Sequence, residues 1–499
     1  MWQRIAIMCR GINLTQLPKF PIMKLFILPL LLLIQLTSYA QTDKEKIQQA
    51  ETNLVGSLQL SGEKPWTIAE RMAHYKIPGL SIAVIQNYKL IWAKGYGWAD
   101  DSLKTPVTTQ TLFQAASISK SLNGVGVLKL VQNKKVDLYT DINTYLTSWK
   151  FPYDSLASGK KITIANLLSH TAGLTVHGFR GYDRGTPLPT VIQILDGVKP
   201  ANSDAVRSMF APGIKSEYSG GGTTISQLIV MDVTHLPYAE YMKKEVLLPL
   251  GMTGSTFSQP PTGIKPTLLA TGYRGDGKPV EGNYHIYPEE APAGLWTNPT
   301  DLAKYIIETQ LAYEGKSAKV LNQSTTVIRL TPYIDKNAAL GVFINNDKAY
   351  FGHGGANEGF RCQYYGSLKD GNGVVVMVNS DNGSILQEVI NSVAKVYGFK
   401  GLYNSTVKET ATVPDEVLQT YTGEYSLATN FTITIFKKGK LLFAQATGQG
   451  AFELIPETQT KFFPREFPAS LEFKKDSTGK VSALILDQNG QQQEAMKIK

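Results

Sequence analysis

Ser117-Ile118-Ser119-Lys120 sets a serine and a lysine three residues apart. A serine hydroxyl is a weak nucleophile and needs a neighbour to take its proton. A lysine amine can serve when desolvation or a nearby cation lowers its pKa. At this spacing on a helix the two side chains share one face. The same pattern recurs at Ser61, Ser158, Ser392, Ser405 and Ser477, so spacing alone selects nothing. Position separates them. Ser117 follows the apolar and small run Leu112 to Ala116 and precedes Leu122, Val125, Leu128 and Val131, an apolar face at helical period. It stands at the first turn of a buried helix, where its N–H is unsatisfied and the helix dipole favours an oxyanion. Ser61 and Ser158 lie in polar loops with glycine, Ser405 in a polar linker and Ser477 in a turn. Ser392 falls near a helix C-terminus, where the dipole has the wrong sign. By itself Ser117 also fits an ordinary helix cap with an exposed lysine.

Two further stretches carry chemistry. In EYSGGGTT, Glu217 to Thr224, Tyr218 precedes a glycine run that lets backbone and substrate approach closely. A tyrosinate near ammonium groups can act as a general base. Alone, the stretch reads equally as a core tyrosine before a flexible turn. In FGHGGANEGF, Phe351 to Phe360, Gly352, Gly354 and Gly355 clear side chains from a strand edge and His353 presents a donor. Alone, that is a glycine-rich turn with a surface histidine.

The elements that must position these residues follow from periodicity. A helix is expected near Thr67–Tyr75, then a hairpin from Leu80–Ile85 and Leu90–Ala93 around Gln86-Asn87-Tyr88-Lys89. Helices follow at Ser119–Gln132, Ile164–Leu168 and Ile225–Val233. Another starts at Asn298-Pro299-Thr300-Asp301, where a cap, a proline and an acid stand in the expected order. Strands Gly341–Asn345 and Gly373–Ser380 and a helix Ser384–Val396 close the region. Strands at both ends with helices between predict a mixed α/β (α+β) domain whose sheet is completed by the chain's return. Residues 414–499 hold about eight strand-like runs, which suit a small up-and-down barrel filled by its own side chains. The polar stretch between, with Pro414 at its end, reads as a linker. The domain boundaries expected are 1–40, 41–403, 404–413 and 414–499.

Residues 1–40 read as an upstream extension followed by a secretory signal. Lys24 precedes the apolar run Leu25–Ile34, and Ser38-Tyr39-Ala40 supplies a cleavage site before Gln41. The run is short for a membrane span, which needs roughly 20 apolar residues, so membrane attachment is expected only through an uncleaved signal. Residues 1–40 carry four basic and no acidic side chains, which lowers the net charge from +9 to +5 for the exported part. No dense basic run remains, and nucleic acid is not an expected partner. Cys362 is the one cysteine after Cys9 is set aside, so an internal disulfide is excluded. The six histidines are scattered, and neither a metal nor a cofactor is expected.

Taken in order, Ser117-x-x-Lys120, Tyr218-Ser219-Gly220 and His353-Gly354-Gly355 resemble the motifs of the serine β-lactamase and penicillin-binding-protein superfamily. The likeness is to its class C β-lactamase, D-aminopeptidase and esterase branch, a peptidase S12-like group. Ile77–Asp100, Ile162–Leu174 and Pro292–Tyr305 resemble that branch's framework, and the likeness spans roughly Trp66 to Tyr397. The tail from Leu418 resembles a lipocalin-like domain attached to some of these hydrolases. The resemblance implies an antiparallel sheet flanked by helices with an all-helical insertion. It implies acyl-enzyme formation on Ser117, proton transfer shared by Lys120 and Tyr218, and an oxyanion hole from the N–H groups of Ser117 and Ala356. His353 then stands where relatives carry the lysine of K-T-G, and His353, Gly354, Gly355 and Gly220 border the substrate. The implied substrate is a small molecule or a peptide, cell-wall peptide included. Two departures matter. Gly220 replaces the asparagine of Tyr-x-Asn, and Gly354 replaces the threonine of K-T-G. Both make the pocket less polar and favour a broad hydrolase of esters, amides or D-amino-acid peptides. The alternatives are a β-lactamase or DD-peptidase proper, and a non-catalytic sensor of cell-wall fragments.

Overall fold

The computed structural model describes residues 43–499 except 346, 348, 466, 468 and 489; the expected signal segment lies outside the described residues. The first elements follow local rules. Thr67 caps the helix Ile68–Tyr75 in a capping box with Glu70. Strands β1 (Gly79–Gln86) and β2 (Lys89–Asp100) form a hairpin whose two turn residues, Asn87 and Tyr88, both have positive φ. Two left-handed residues give the turn that matches strand twist. A short strand β3 (Thr105–Pro106) extends this edge.

The chain then leaves the sheet for its helical part. Helix α1 (Ser119–Gln132) has the expected bounds and is buried along most of its length. Helix α2 spans Gly220–Thr234, five residues longer at its start than the apolar pattern from Ile225 suggests. Its first turn is the glycine run, capped by Ser219, whose Oγ accepts from the Gly222 N–H at 2.9 Å. Glycine disfavours a helix, but tertiary packing overrides that preference here. A Cβ on Gly221 would lie 2.7 Å from Val206. Helix α3 (Glu290–Ala293) and helix α4 (Pro299–Tyr313) follow, the latter capped by Asn298 as expected.

The chain returns as β4 (Phe343–Asn345), β5 (Tyr350–Asn357), β6 (Phe360–Ser367) and β7 (Gly373–Val378). The seven-stranded sheet has the order β3-β2-β1-β7-β6-β5-β4. Its centre joins the two ends of the domain: β7 runs antiparallel to β1, from Gly373 opposite Ile85 to Val378 opposite Leu80. Every residue of β7 is buried, which suits a strand covered on both faces. Helix α4 packs on one face and helix α5 (Ser384–Tyr397) on the other. Ala83, Ile85, Val375 and Met377 share one core with Leu302, Tyr305 and Ile306 of α4.

After α5 the segment expected as a linker contains a strand, Thr406–Lys408, paired in parallel with Leu58–Leu60. Helix α6 (Asp415–Tyr421) then leads into β8 to β15, which are Gly423–Ala428, Phe431–Lys438, Leu441–Ala446, Phe452–Pro456, Lys461–Phe463, Ala469–Lys475, Val481–Gln488 and Gln491–Lys497. These eight strands form a closed barrel. Its interior is packed by side chains including Tyr425, Ile435, Leu454, Phe462 and Leu484, and Tyr421 of α6 stacks on Phe473 at 4.1 Å. Among the described residues, no helix is long and apolar enough to cross a membrane.

Candidate active site

Ser117 sits in a tight 3-10 turn, Ala116–Ile118, that feeds directly into α1. The turn is anchored from two sides. The strand Phe113–Gln114 pairs with Trp296–Thr297, and the Ala115 N–H donates to the Leu295 carbonyl at 2.8 Å. Ser119 Oγ donates to the Ala116 carbonyl at 2.5 Å and accepts from the Leu295 N–H at 3.0 Å. Ala116 has φ +48°, a left-handed conformation that costs an alanine energy and persists only where its surroundings enforce it. That strained residue immediately precedes the serine.

Lys120 is 4 % exposed, and its Nζ lies 3.0 Å from Ser117 Oγ. It also donates to the Pro292 carbonyl of α3 at 2.9 Å. The same Nζ stands 4.9 Å from the centre of the Tyr218 ring. So the three residues singled out by type and spacing are together. The Tyr218 hydroxyl forms no hydrogen bond to Ser117 or Lys120 here; its approach to the lysine is through the ring. Rings surround it: His170 at 4.4 Å, His353 at 6.2 Å and Phe343 at 6.4 Å between centroids.

His353 is buried on β5, and its Nδ1 faces the Gly354 carbonyl at 2.6 Å. A carbonyl only accepts, so Nδ1 carries the proton and Nε2 carries a lone pair. Nε2 is buried without a partner among the described residues. Burial, with the Lys120 charge nearby, pushes the imidazole down to about 3. The expectation of a donor at this position is therefore corrected: His353 offers a neutral acceptor. The expected lysine-like position holds no cation.

The three glycines of interest differ. A Cβ on Gly355 would sit 2.3 Å from the Ala115 carbonyl oxygen and 2.5 Å from Cys362 Sγ, so only glycine lets β5 lie against the serine loop. A Cβ on Gly354 would press only on the end of the Gln363 side chain, at 2.7 Å, and touch the Cys362 carbonyl at an ordinary 3.7 Å. A Cβ on Gly220 would meet Phe179 at 2.9 Å. Phe179 thus stands where an asparagine side chain would begin.

Beyond Gly352, β5 has β6 on one side and, among the described residues, no strand on the other, because β4 pairs only with Tyr350 to Gly352. An open cleft of about 390 Å³ lies there, lined by Ser117, Tyr218, Phe343, His353, Gly354, Gly355, Ala356, Cys362 and Gln363. The two residues expected to supply oxyanion donors, Ser117 and Ala356, both border it. The cleft lining holds no lysine, arginine, aspartate or glutamate. Among the described residues, no cluster of histidines, cysteines and acids could hold a metal ion. Sequence reasoning did not single out His170, Phe179, Phe343 or Gln363. His170 lay in a framework stretch already quoted, where a lone histidine looks like any other core residue. Phe343 and Gln363 declare themselves only through strand pairing.

The Beta-lactamase family profile matches residues 67–394, and the Domain of unknown function (DUF3471) profile matches residues 407–497. Protein flp of Staphylococcus aureus (strain N315) is 29% identical over 316 residues, covering 61% of this chain and 60% of that protein. The match therefore spans about three fifths of that relative's length. Penicillin-binding protein 4* of Bacillus subtilis (strain 168) is 22% identical over 432 residues, covering 82% of this chain and 93% of that protein. The octameric penicillin-binding protein homologue from Pyrococcus abyssi has the same fold, with a TM-score of 0.59 at 22% identity over 86% of this chain and 98% of that one. With its serine–lysine pair, its sheet order and a profile match across most of its length, the chain belongs to the beta-lactamase family of the penicillin-binding-protein-like serine hydrolase superfamily.

Proposed function

We propose that this chain is a serine acyl hydrolase that forms an acyl-enzyme on Ser117 and prefers uncharged substrates, esters first. The observation that carries the reading is Ser117 Oγ lying 3.0 Å from Lys120 Nζ at a cleft whose lining holds no arginine, aspartate or glutamate and, apart from that lysine behind the serine, no ammonium group. The serine oxygen attacks the substrate carbonyl carbon, and its proton passes to Lys120 or Tyr218. When the bond to the leaving group breaks, that proton goes to the departing oxygen or nitrogen. Water repeats the sequence in reverse and frees the acid. The N–H groups of Ser117 and Ala356 hold the developing oxyanion, and His353 borders the substrate as a neutral side chain. A β-lactam or a D-alanyl peptide presents a carboxylate. The lysine that receives it in relatives is replaced here by a neutral imidazole, and the threonine hydroxyl beside it by Gly354. Export rests on residues 1–40 alone, with cleavage near Ala40-Gln41, and N-terminal sequencing of secreted protein tests it.

The catalytic reading is tested with a fluorescent phosphonate and a fluorescent penicillin, beside Ser117→Ala. Phosphonate labelling of the parent but not the variant is expected, together with turnover of p-nitrophenyl esters exceeding that of D-amino-acid anilides and a chromogenic cephalosporin. Penicillin labelling as fast as phosphonate labelling would move the reading to the β-lactam branch. No labelling and no turnover would leave a non-catalytic sensor.

A further inference from the structure

We infer that His170 is the positioning residue for Tyr218, clamping the backbone on both sides of it; this rests on the proposed acyl-transfer role of Tyr218. Tyr218 precedes Ser219 and three glycines, and glycine leaves a backbone free to turn. A tyrosine that passes protons needs a fixed direction. Past Ser219 the chain is held as α2 begins, the Gly220 and Gly221 N–H groups donating to the His177 and Val176 carbonyls at 3.3 and 3.0 Å, so what remains is to fix the two residues that flank Tyr218 itself. His170 reaches both flanks. Its carbonyl accepts from the Glu217 N–H at 2.7 Å, and its Nδ1 accepts from the Ser219 N–H at 3.2 Å. Its ring lies 4.4 Å from the Tyr218 ring and stacks on Phe343 at 6.1 Å. The Tyr218 carbonyl is tied separately, to His177 Nδ1 at 2.5 Å.

Two further observations set His170 apart from a core histidine. Its φ is +60°, a left-handed conformation held against preference. It is also 5 % exposed, and the Ser219 bond requires Nδ1 to be unprotonated. Lys120, His353 and Tyr218 are the titratable groups that face it, and burial beside Lys120 and His353 holds it well below its ordinary pKa. The neutral acceptor is therefore the form present near neutral pH.

The test exploits asparagine, whose Oδ1 occupies the place of Nδ1 and which tolerates positive φ. His170→Asn and His170→Phe are made in the full chain. The rate of Ser117 labelling by the fluorescent phosphonate is measured with kcat and KM for p-nitrophenyl acetate and with thermal midpoints. His170→Asn is expected to label within about threefold of the parent. His170→Phe, which keeps ring volume and loses the acceptor, is expected to lose at least about thirtyfold in labelling and in kcat, with KM within about twofold. A folded His170→Phe that labels at the parent rate overturns the inference, as does equal impairment of both variants. If His170→Phe does not fold, His170→Asn decides: retained labelling supports the clamp and lost labelling overturns it. A parent protein that is not labelled refutes the hydrolase reading itself.

Discussion

Gly355 and Gly354 are neighbours with opposite tolerance. A methyl group on Gly355 collides with the Ala115 carbonyl and Cys362, both fixed by the serine loop and β6. Gly355→Ala is expected to push β5 off that loop and lower kcat/KM for a p-nitrophenyl ester by at least about a hundredfold, since small misplacements of reacting groups are costly. Gly354→Ala displaces only the end of Gln363 and is expected to stay within about threefold. Equal effects would show that β5 does not need its close approach. Gly220 poses a different question. Gly220→Asn alone meets Phe179 and is expected to destabilise by about 1–3 kcal/mol through overpacking. Gly220→Asn with Phe179→Ala makes room for the amide, and its thermal midpoint is expected to recover toward that of Phe179→Ala. A double variant no more stable than Gly220→Asn would show that Phe179 is not the obstacle. The serine, lysine and tyrosine were legible in the sequence because their chemistry is rare and their order informative. His170 and Phe179 were not. Their significance lies in what they touch across 40 to 50 residues, and no local pattern records that.

At the scale of elements, agreement follows local physics. The helices at Ser119–Gln132 and Ile164–Leu168 have the expected ends: the first follows its apolar period without a side-chain cap, and the second is opened by the Thr163–Asn166 capping box. The start of α2 was missed because glycine propensity pointed the other way and packing prevailed. Helix α3 is the element with the sharpest consequence for pH. It supplies the Pro292 carbonyl to Lys120, and at its start Glu289 is buried and Glu290 half-buried with its carboxyl turned inward. Burial pushes them up to about 7 and about 8. Their protonated forms stabilise the fold fully below about 4.5, and that contribution is lost progressively as pH rises from there, completely above about 7 for Glu289 and about 8 for Glu290. His353 acts on the other side. Its folded pKa is depressed, so below about 6.5 the unfolded chain takes a proton that the native protein refuses, and stability falls as pH drops toward about 3. Two glutamates outweigh one histidine between about 4.5 and 6.5, so thermal midpoints are expected to fall as pH rises from about 4.5 to about 8, and to fall again below about 4.5 where only His353 still acts. Glu290→Gln is expected to flatten the alkaline limb, raising the midpoint relative to the parent most at pH 9, less at pH 6 and not at pH 4. An unchanged alkaline limb would remove Glu290 from the account.

Across the whole molecule, the barrel is joined to the hydrolase part by the paired strands Leu58–Leu60 and Thr406–Lys408 and by ion pairs. Arg465 Nη1 reaches both carboxylate oxygens of Glu63, at 2.8 and 3.0 Å, and Lys408 meets Glu457 at 3.1 Å. The Glu63–Arg465 pair is partly exposed and is worth less than about 1 kcal/mol by the usual measure. Arg465→Ala is accordingly expected to change ester turnover by less than about twofold and stability by less than about 1 kcal/mol, as read by denaturant unfolding. A larger loss of turnover would mean that the barrel's seating supports the distant cleft. The barrel was legible strand by strand, since alternation is the simplest of patterns. The strand within the expected linker was not, because three exposed or half-buried residues become a strand only through a partner nearly 350 positions earlier.

The central pairing of β1 with β7 has a consequence for the birth of the protein. Leu80 and Val378 are neighbours in the sheet but almost 300 residues apart in the chain. Pairings so distant in sequence form slowly. A ribosome must complete β7 before the sheet around which α4 and α5 pack can close. Until then the apolar hairpin of β1 and β2 waits without its partner. The hairpin therefore needs protection until about three quarters of synthesis is complete, and Ser117 meets the glycine strand that completes its cleft only after about seven tenths of the 499 residues are made.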